Sequence, residues 1–300
     1  MLYLTEDEVR QLLPMHEAVR LMRLTFEALA GFAAQNQPRR RMILPTGSVL
    51  HSMAGAYGGY FGTKFYSTNP KHGAHFLFAL YEADTGLPLA LMEANHMGQI
   101  RTGAASGYAT DLMAAPDAAF LGVIGSGFQA QTQIAAIRAV RDIREVRVWS
   151  RDRAKRERFA EANGAVAVDT AREAVQGVHI VATATFAKDP VLEDAWILPG
   201  THVNAVGSNV ANRAELPAAL MRRASVVAVD SLDQARLEAG DIVLADSWDN
   251  VVELQDVSKN HDPAAVTVFK STGLGVEDVA VGGYIYEQAI ASGVGRPVHS

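Results

Sequence analysis

Ala119-Phe-Leu-Gly-Val-Ile-Gly-Ser-Gly-Phe-Gln-Ala130 decides how this 300-residue chain is read. Its first half is an apolar run of strand length, and its second half is a GxGxxA turn. Gly125 allows the tight turn, Gly127 lets the backbone approach a pyrophosphate, and Ala130 keeps the following helix close to the sheet. The backbone at Ser126, Phe128 and Gln129, at the positive end of that helix, would hold the phosphates. A strand at 145–149 and a helix at 153–163 follow at the spacing of a βαβ unit, so the pattern stands where dinucleotide binding requires it. The alternative is a glycine-rich turn in an ordinary α/β domain.

Outward from this segment the periodicity is regular toward the C-terminus. Short apolar strands are expected at 165–168, 179–184, 202–206, 225–229 and 266–270. Such strand–helix alternation implies an α/β fold, a Rossmann-type doubly wound parallel sheet with right-handed crossovers. Toward the N-terminus the pattern differs. Residues 5–34 read as one or two helices, opened by a Thr5/Glu8 capping box and interrupted at Pro14. Residues 42–93 read as antiparallel strands at 59–66, 74–82 and 87–93, with a hairpin turn at Ala83-Asp-Thr-Gly86. A helix rich in Gly, Ala and Ser spans 97–113. A last helix, 277–291, lies beyond the final sheet strand and returns to the first domain. The expected division is a dinucleotide domain at 115–275 and a second domain made of 1–114 with 276–300.

Composition narrows the function classes. Twenty-seven Lys and Arg against 33 Asp and Glu give a net charge of −6, which argues against a nucleic-acid binder. Absence of cysteine removes disulfides, thiolate nucleophiles and Cys-containing metal sites. The acidic, amphipathic start has no basic segment before an apolar one, and nowhere do ~18 apolar residues run together. A cytoplasmic protein without a membrane partner is expected. His72 and His75 are three apart, with no carboxylate ligand nearby, and read as loop histidines rather than a metal site. There is no GxSxG, HExxH or P-loop pattern.

The end of the second strand decides the coenzyme. An NAD site usually places a carboxylate there, ~20 residues after the fingerprint. Here the residues are Trp149-Ser-Arg-Asp-Arg153. A hydroxyl at Ser150 with guanidinium groups at Arg151 and Arg153 suits a 2′-phosphate, so NADP(H) is favoured over NAD(H). Asp152 remains an alternative partner for a 2′-hydroxyl, and a solvated basic helix start is the other reading.

A second site is suggested by cations in apolar surroundings. Lys64 lies within Phe61-Gly-Thr-Lys-Phe-Tyr66, Arg101 on the small-residue helix, and Arg41 at the end of Arg39-Arg-Arg. Together they would clamp a carboxylate. Separately, Lys64 could be an exposed strand residue, Arg101 could pair with Glu93 or Asp111, and Arg41 could belong to a solvated patch.

Several stretches together resemble the ornithine cyclodeaminase/mu-crystallin family across nearly the whole chain. They are Phe61-Gly-Thr-Lys-Phe65, Glu93-Ala-Asn-His-Met-Gly-Gln-Ile-Arg-Thr-Gly-Ala-Ala-Ser106, Gly122-Val-Ile-Gly-Ser-Gly-Phe-Gln-Ala130, Asn204-Ala-Val-Gly-Ser-Asn209 with Arg213-Ala-Glu-Leu216, and Phe269-Lys-Ser-Thr-Gly-Leu-Gly275. The resemblance implies a homodimer whose N-terminal α+β domain dimerises and binds substrate, completed by the C-terminal helix. It implies that Arg41, Lys64 and Arg101 hold a substrate α-carboxylate and that Thr102 contacts the cofactor phosphates. Thr183, Val206 and Ser271 match positions lining the cofactor cleft near the nicotinamide. Cyclodeaminases carry Asp where this chain has Asn209, and a neutral amide accepts no proton at pH 7. The expected activity is therefore NAD(P)H-dependent reduction of α-imino acids, such as Δ1-pyrroline-2-carboxylate or Δ1-piperideine-2-carboxylate, or an amino-acid dehydrogenase such as alanine dehydrogenase. Lys64 is the candidate proton donor and Asn209 the candidate orienting group. Ornithine cyclodeamination with bound NAD, and NADP-dependent ligand binding without turnover as in mu-crystallin, are the alternatives.

Overall fold

The computed structural model describes residues 1–259 and 262–298. In chain order the elements are β1 (Leu2–Leu4), α1 (Glu6–Leu12), α2 (Met15–Ala30), β2 (Gln35–Ile43), β3 (Val49–Tyr57), β4 (Tyr60–Asn69), β5 (Gly73–Glu82), β6 (Pro88–Glu93) and α3 (Asn95–Met113). There follow β7 (Phe120–Ile124), α4 (Phe128–Arg138), β8 (Glu145–Trp149), α5 (Arg153–Ala162), β9 (Val166–Ala167), α6 (Ala171–Val175) and β10 (Ile180–Thr183). Next come β11 (His202–Ala205), α7 (Ala218–Arg223), β12 (Val226–Val229), α8 (Leu232–Glu238), α9 (Gly240–Val243), β13 (Val251–Glu253) and β14 (Thr267–Lys270), and the chain ends in α10 (Gly275–Ser292) and β15 (Arg296–Pro297).

Two units emerge, Met1–Arg101 with Gly273–Ser300, and Thr102–Thr272. The division cuts α3 between Arg101 and Thr102 instead of following the helix. Close packing explains the second unit's claim on the rest of α3: a Cβ on Gly103 would lie 2.6 Å from the Thr132 carbonyl oxygen.

The first unit holds a seven-stranded sheet in the order β15-β1-β6-β5-β4-β3-β2, antiparallel from β2 to β6, with β1 added parallel to β6. The Thr5 amide donates to Glu8 at 2.8 Å, opening α1, and Pro14 separates α1 from α2. Helix α10 packs on one face of β2–β5. Glycines permit that approach: a Cβ on Gly55 would meet Val276 at 2.5 Å, and one on Gly283 would meet the Tyr60 ring at 2.7 Å. On the opposite face, strand alternation presents Phe61, Phe65, Leu77, Ala79 and Tyr81, none of them fully buried. Strands β1, β2, β3 and β15 are additional to those expected from the sequence. Pro38 and three consecutive arginines disguise β2, which tolerates them because it is a sheet edge with a bulge between Gln37 and Arg40.

The second unit holds an eight-stranded sheet in the order β13-β12-β14-β11-β10-β7-β8-β9, with all strand pairs among the described residues parallel. Ile124, Val181, Val203 and Val268 belong to one core cluster, and Val123, Val148, Ile180 and Ala182 to another. Neighbours in sequence thus face opposite layers, which is why these strands are apolar on both sides. From β7 the chain runs outward to β8 and β9, then returns to the other side of β7 as β10 and β11. The switch point lies between β7 and β10, where such sheets bind ligands at their carboxyl ends. No helix among the described residues is long and apolar enough to cross a membrane.

Candidate functional site

The fingerprint turn occupies that switch point. Gly125 has φ +118°, a conformation that favours glycine, and a Cβ there would overlap the Ala184 carbonyl. Gly127 caps α4 without a side-chain acceptor, and a Cβ there would meet nothing within 4 Å. Open space at Gly127 coincides with a helix N-terminus that no N-cap side chain closes, so the residues present fit a dinucleotide pyrophosphate. Phe128 is half exposed, Gln129 partly exposed, and Ala130 buried against the sheet.

At the end of β8, the Ser150 and Ser126 hydroxyls lie 2.8 Å apart, which joins the fingerprint loop to the position where a ribose acid would stand. Asp152 is committed elsewhere: it caps α5 by accepting from the Lys155 amide at 2.9 Å. Arg151 is exposed and forms no ion pair with a described residue, whereas Arg153 pairs with Glu157 at 2.7 Å on the surface. A third arginine escaped the sequence reading. Buried Arg156 donates to the Ser150 carbonyl (3.1 Å) and to Asp169 (2.9 Å), holding this turn from inside.

Thr183, Val206 and Ser271 stand at or just beyond the carboxyl ends of β10, β11 and β14. The Val206 amide donates to Thr183 O (2.9 Å) and the Ser271 amide to Ala205 O (3.1 Å). The Thr183 hydroxyl is buried and makes no hydrogen bond to a described residue. Thr102 is buried on α3. Asn209, partly exposed, lines a cavity of about 480 Å³ together with Phe186, Lys188, Asn212 and Arg213.

The first unit brings Lys64 and Arg101 together, through partners the sequence did not suggest. Lys64 is 2% exposed and lies 2.8 and 2.7 Å from the two oxygens of Asp278. Arg101 donates to Glu277 at 2.8 Å and to Asp278 at 3.2 Å. It does not pair with Glu93, which accepts from the Tyr3 hydroxyl and the Glu6 amide, or with Asp111, which pairs with Arg141. Nor is Lys64 an exposed strand residue. Its ammonium lies beside Gly98, at an ordinary contact distance of 3.7 Å from where a Cβ would stand. Burial, then the Arg101 and Arg39 charges, outweigh Asp278 and lower the Lys64 ammonium from 10.5 to about 8. Arg41 is exposed and stands opposite His51 across β2–β3, while Arg39, two residues earlier, is buried. His51 stacks on Tyr66 with centroids 4.2 Å apart, and burial beside Arg41 and Arg39 lowers it to about 4.

Glu277 and Asp278 were the largest omission of the sequence reading, and a signal existed. Two adjacent acids open an otherwise apolar helix, Gly275-Val-Glu-Asp-Val-Ala-Val-Gly282, and buried carboxylates require cationic partners. Their place in the first turn also suits the positive end of α10. His72 and His75 are exposed, with His75 Nε2 3.2 Å from the His72 carbonyl.

Comparison with known proteins adds four findings to this geometry. The model of the ornithine cyclodeaminase/mu-crystallin family matches residues 2–293. The mouse ketimine reductase mu-crystallin is 37% identical over 73% of this chain and 70% of its own. A solved Thermococcus litoralis Δ1-pyrroline-2-carboxylate reductase in complex with NADH and L-proline superposes with TM-score 0.93 at 30% identity, over 99% of this chain and all of that one. An archaeal alanine dehydrogenase dimer with bound NAD superposes with TM-score 0.94 at 31% identity, over 100% and 99% of the two chains.

Proposed function

We propose that this chain, which belongs to the ornithine cyclodeaminase/mu-crystallin family, is an NAD(P)H-dependent oxidoreductase that reduces the C=N bond of small α-imino acids. The observation that carries the reading is the buried Lys64–Asp278–Arg101–Glu277 cluster, in a fold shared with a reductase solved with NADH and proline. Two cations held in place by carboxylates are preorganised to receive a third carboxylate, that of the substrate. Arg101 and Lys64 bind and orient it, with Arg41 as a further cation on the same unit. Lys64, lowered to about 8, can release a proton to the substrate nitrogen near neutral pH. Asn209, a neutral amide, orients substrate or water and cannot act as a base, which disfavours ornithine cyclodeamination.

The bound dinucleotide supplies the hydride, which is the cofactor's own chemistry. Ser126 to Ala130 hold its phosphates, Thr102 adds a hydroxyl, and Thr183, Val206 and Ser271 line the nicotinamide end. NADP(H) is the preferred form, supported by Ser150 at the acid position, by Asp152 being taken up in a cap, and by the exposed Arg151. Arg151→Ala is expected to weaken NADPH binding by roughly tenfold, the loss of one hydrogen bond to a charged group. NADH binding should be unaffected. Equilibrium titration with both coenzymes checks this, and equal losses would show the 2′-phosphate to lie elsewhere.

A homodimer in the cytoplasm completes the proposal. The apolar outer face of β3–β5 supports self-association, as does the dimeric alanine dehydrogenase of the same fold. The activity is tested by following NADPH absorbance with Δ1-pyrroline-2-carboxylate, Δ1-piperideine-2-carboxylate and pyruvate plus ammonia. Consumption with at least one of these is the expected result. Proline and ammonia formed from ornithine, with no net coenzyme oxidation, would overturn it, as would tight ligand binding without turnover.

A further inference from the structure

We infer that Glu215 is a positioning residue, fixing from beneath the two loops that follow β10 and β11 and, through them, the nicotinamide half of the dinucleotide. The inference rests on the dinucleotide reading of this unit. Glu215 is fully buried. One carboxylate oxygen accepts from the Thr185 amide (2.7 Å) and the Thr185 hydroxyl (2.8 Å), and the other from the Gly207 amide (2.7 Å). Thr185 lies two residues beyond the end of β10 and Gly207 two beyond the end of β11. A single side chain therefore spans both loops at the carboxyl edge of the sheet.

Its own position is fixed in turn. The amides of Glu215 and Leu216 donate to one oxygen of buried Asp241 at 2.6 and 2.9 Å. Asp241 pairs with Lys270 at 2.8 Å, and Lys270, at the end of β14, donates to the Ser208 carbonyl at 2.7 Å. Three neighbouring strand ends are thus tied into one network. Gly207 has no room for a side chain, because a Cβ would overlap Thr185 and the Glu215 carboxylate.

The chemistry requires a carboxylate. Burial raises the Glu215 carboxyl above its ordinary value and Lys270 counteracts that, so the charge is held at a cost. Two backbone donors converging from different loops need two acceptor oxygens. Glutamine supplies one oxygen and turns an NH2 group toward the other donor. Beyond the tie come Ser208 and Asn209, and Asn209 lines the cavity already described. An error in the Gly207 loop is therefore passed to the group proposed to orient the substrate, and positional errors of this size are costly in rate.

Glu215→Gln tests the role. Amide exchange at Thr185 and Gly207, measured by deuterium uptake with NADPH bound, is expected to rise roughly tenfold, the loss of a hydrogen bond to a charged group. Affinity for ADP-ribose, which has the phosphates without the nicotinamide, should be unchanged, while NADPH binds more weakly. The kcat should fall, and the primary isotope effect from NADPH deuterated at C4 should rise, because hydride transfer then limits turnover. A lower thermal midpoint with unchanged isotope effect, KM and amide exchange would mean a merely structural residue and overturn the inference. If Glu215→Gln does not fold, Thr185→Val removes the hydroxyl, and with it one bond to Glu215 and one from the Ala187 amide, while both backbone bonds to Glu215 remain. A raised isotope effect there supports the role, and an unchanged one overturns it. Should the wild type reduce no imino acid, the activity reading fails, and the exchange and ADP-ribose comparisons still decide the role of Glu215.

Discussion

Replacing Lys64 with methionine is expected to lower kcat/KM for imino-acid reduction by roughly 10³, with NADPH affinity unchanged. Two losses combine. A positioned proton donor is worth ~10²–10⁴ in rate, and a hydrogen bond between ammonium and carboxylate is worth about 1.5–3 kcal/mol of binding. Methionine matches the length and apolar packing of the lysine stem, so the pocket between β4 and α10 stays filled. Asp278 is not stranded either, since Arg101 still donates to it at 3.2 Å. The fingerprint belongs to the other unit, which is why coenzyme binding serves as the internal control. Lys64→Arg separates the two losses: it retains a cation for the carboxylate but has no removable proton at working pH. KM should then recover more than kcat does. Steady-state kinetics beside equilibrium NADPH titration provide the check, and turnover within a few-fold of wild type would remove Lys64 from the mechanism.

How far the sequence reveals this site depends on how local each signal is. The βαβ half was legible because Gly125, Gly127 and Ala130 lie within one short segment, and because a buried parallel strand such as Phe120–Ile124 announces itself by its own composition. Ser150 could be placed for the same reason. Lys64 and Arg101 could be singled out as cations in apolar company, but their partners could not: Asp278 is 214 residues from Lys64 in the chain. The apolar helix around Glu277 and Asp278 marks them as buried, but nothing local says which cation each of them meets. Strand β2 was hidden for a different reason. Its Pro38 and the run Arg39-Arg-Arg41 carry no strand pattern, and its place at the sheet edge is what makes them acceptable. The bulge there also decides that Arg39 is buried while Arg41 is exposed, a distinction no spacing rule supplies. Glu215 lay in plain view within Arg213-Ala-Glu-Leu216, yet its role depends on two amides from other loops.

Asp278→Asn is expected to destabilise the protein by about 3 kcal/mol, the cost of breaking a buried ion pair, and by less at high pH than at low pH. Asp278 has no exposed surface and faces Lys64 and Arg101 at once. With asparagine in its place, Lys64 faces the Arg101 and Arg39 charges without that carboxylate, and its ammonium falls below about 8. The unfolded lysine keeps its ordinary value of 10.5. In the wild type the Lys64–Asp278 attraction is present below about 8 and fades as rising pH removes the Lys64 proton. The variant has therefore most to lose at low pH, and the difference in thermal midpoint should narrow as pH rises toward about 8 and stay constant above it. Activity follows the same sign. Wild-type kcat/KM for reduction should decline as pH rises through about 8, because the proton donor is lost, and amino-acid oxidation should rise over the same interval, because Lys64 must then accept a proton. Asp278→Asn should shift both limbs to lower pH. A bound substrate carboxylate should shift the kcat limb to higher pH than the kcat/KM limb, since an added negative charge favours the ammonium. Profiles in both directions, recorded for both proteins, measure this displacement. Coincident limbs would mean that the group titrating near 8 is not the lysine paired with Asp278.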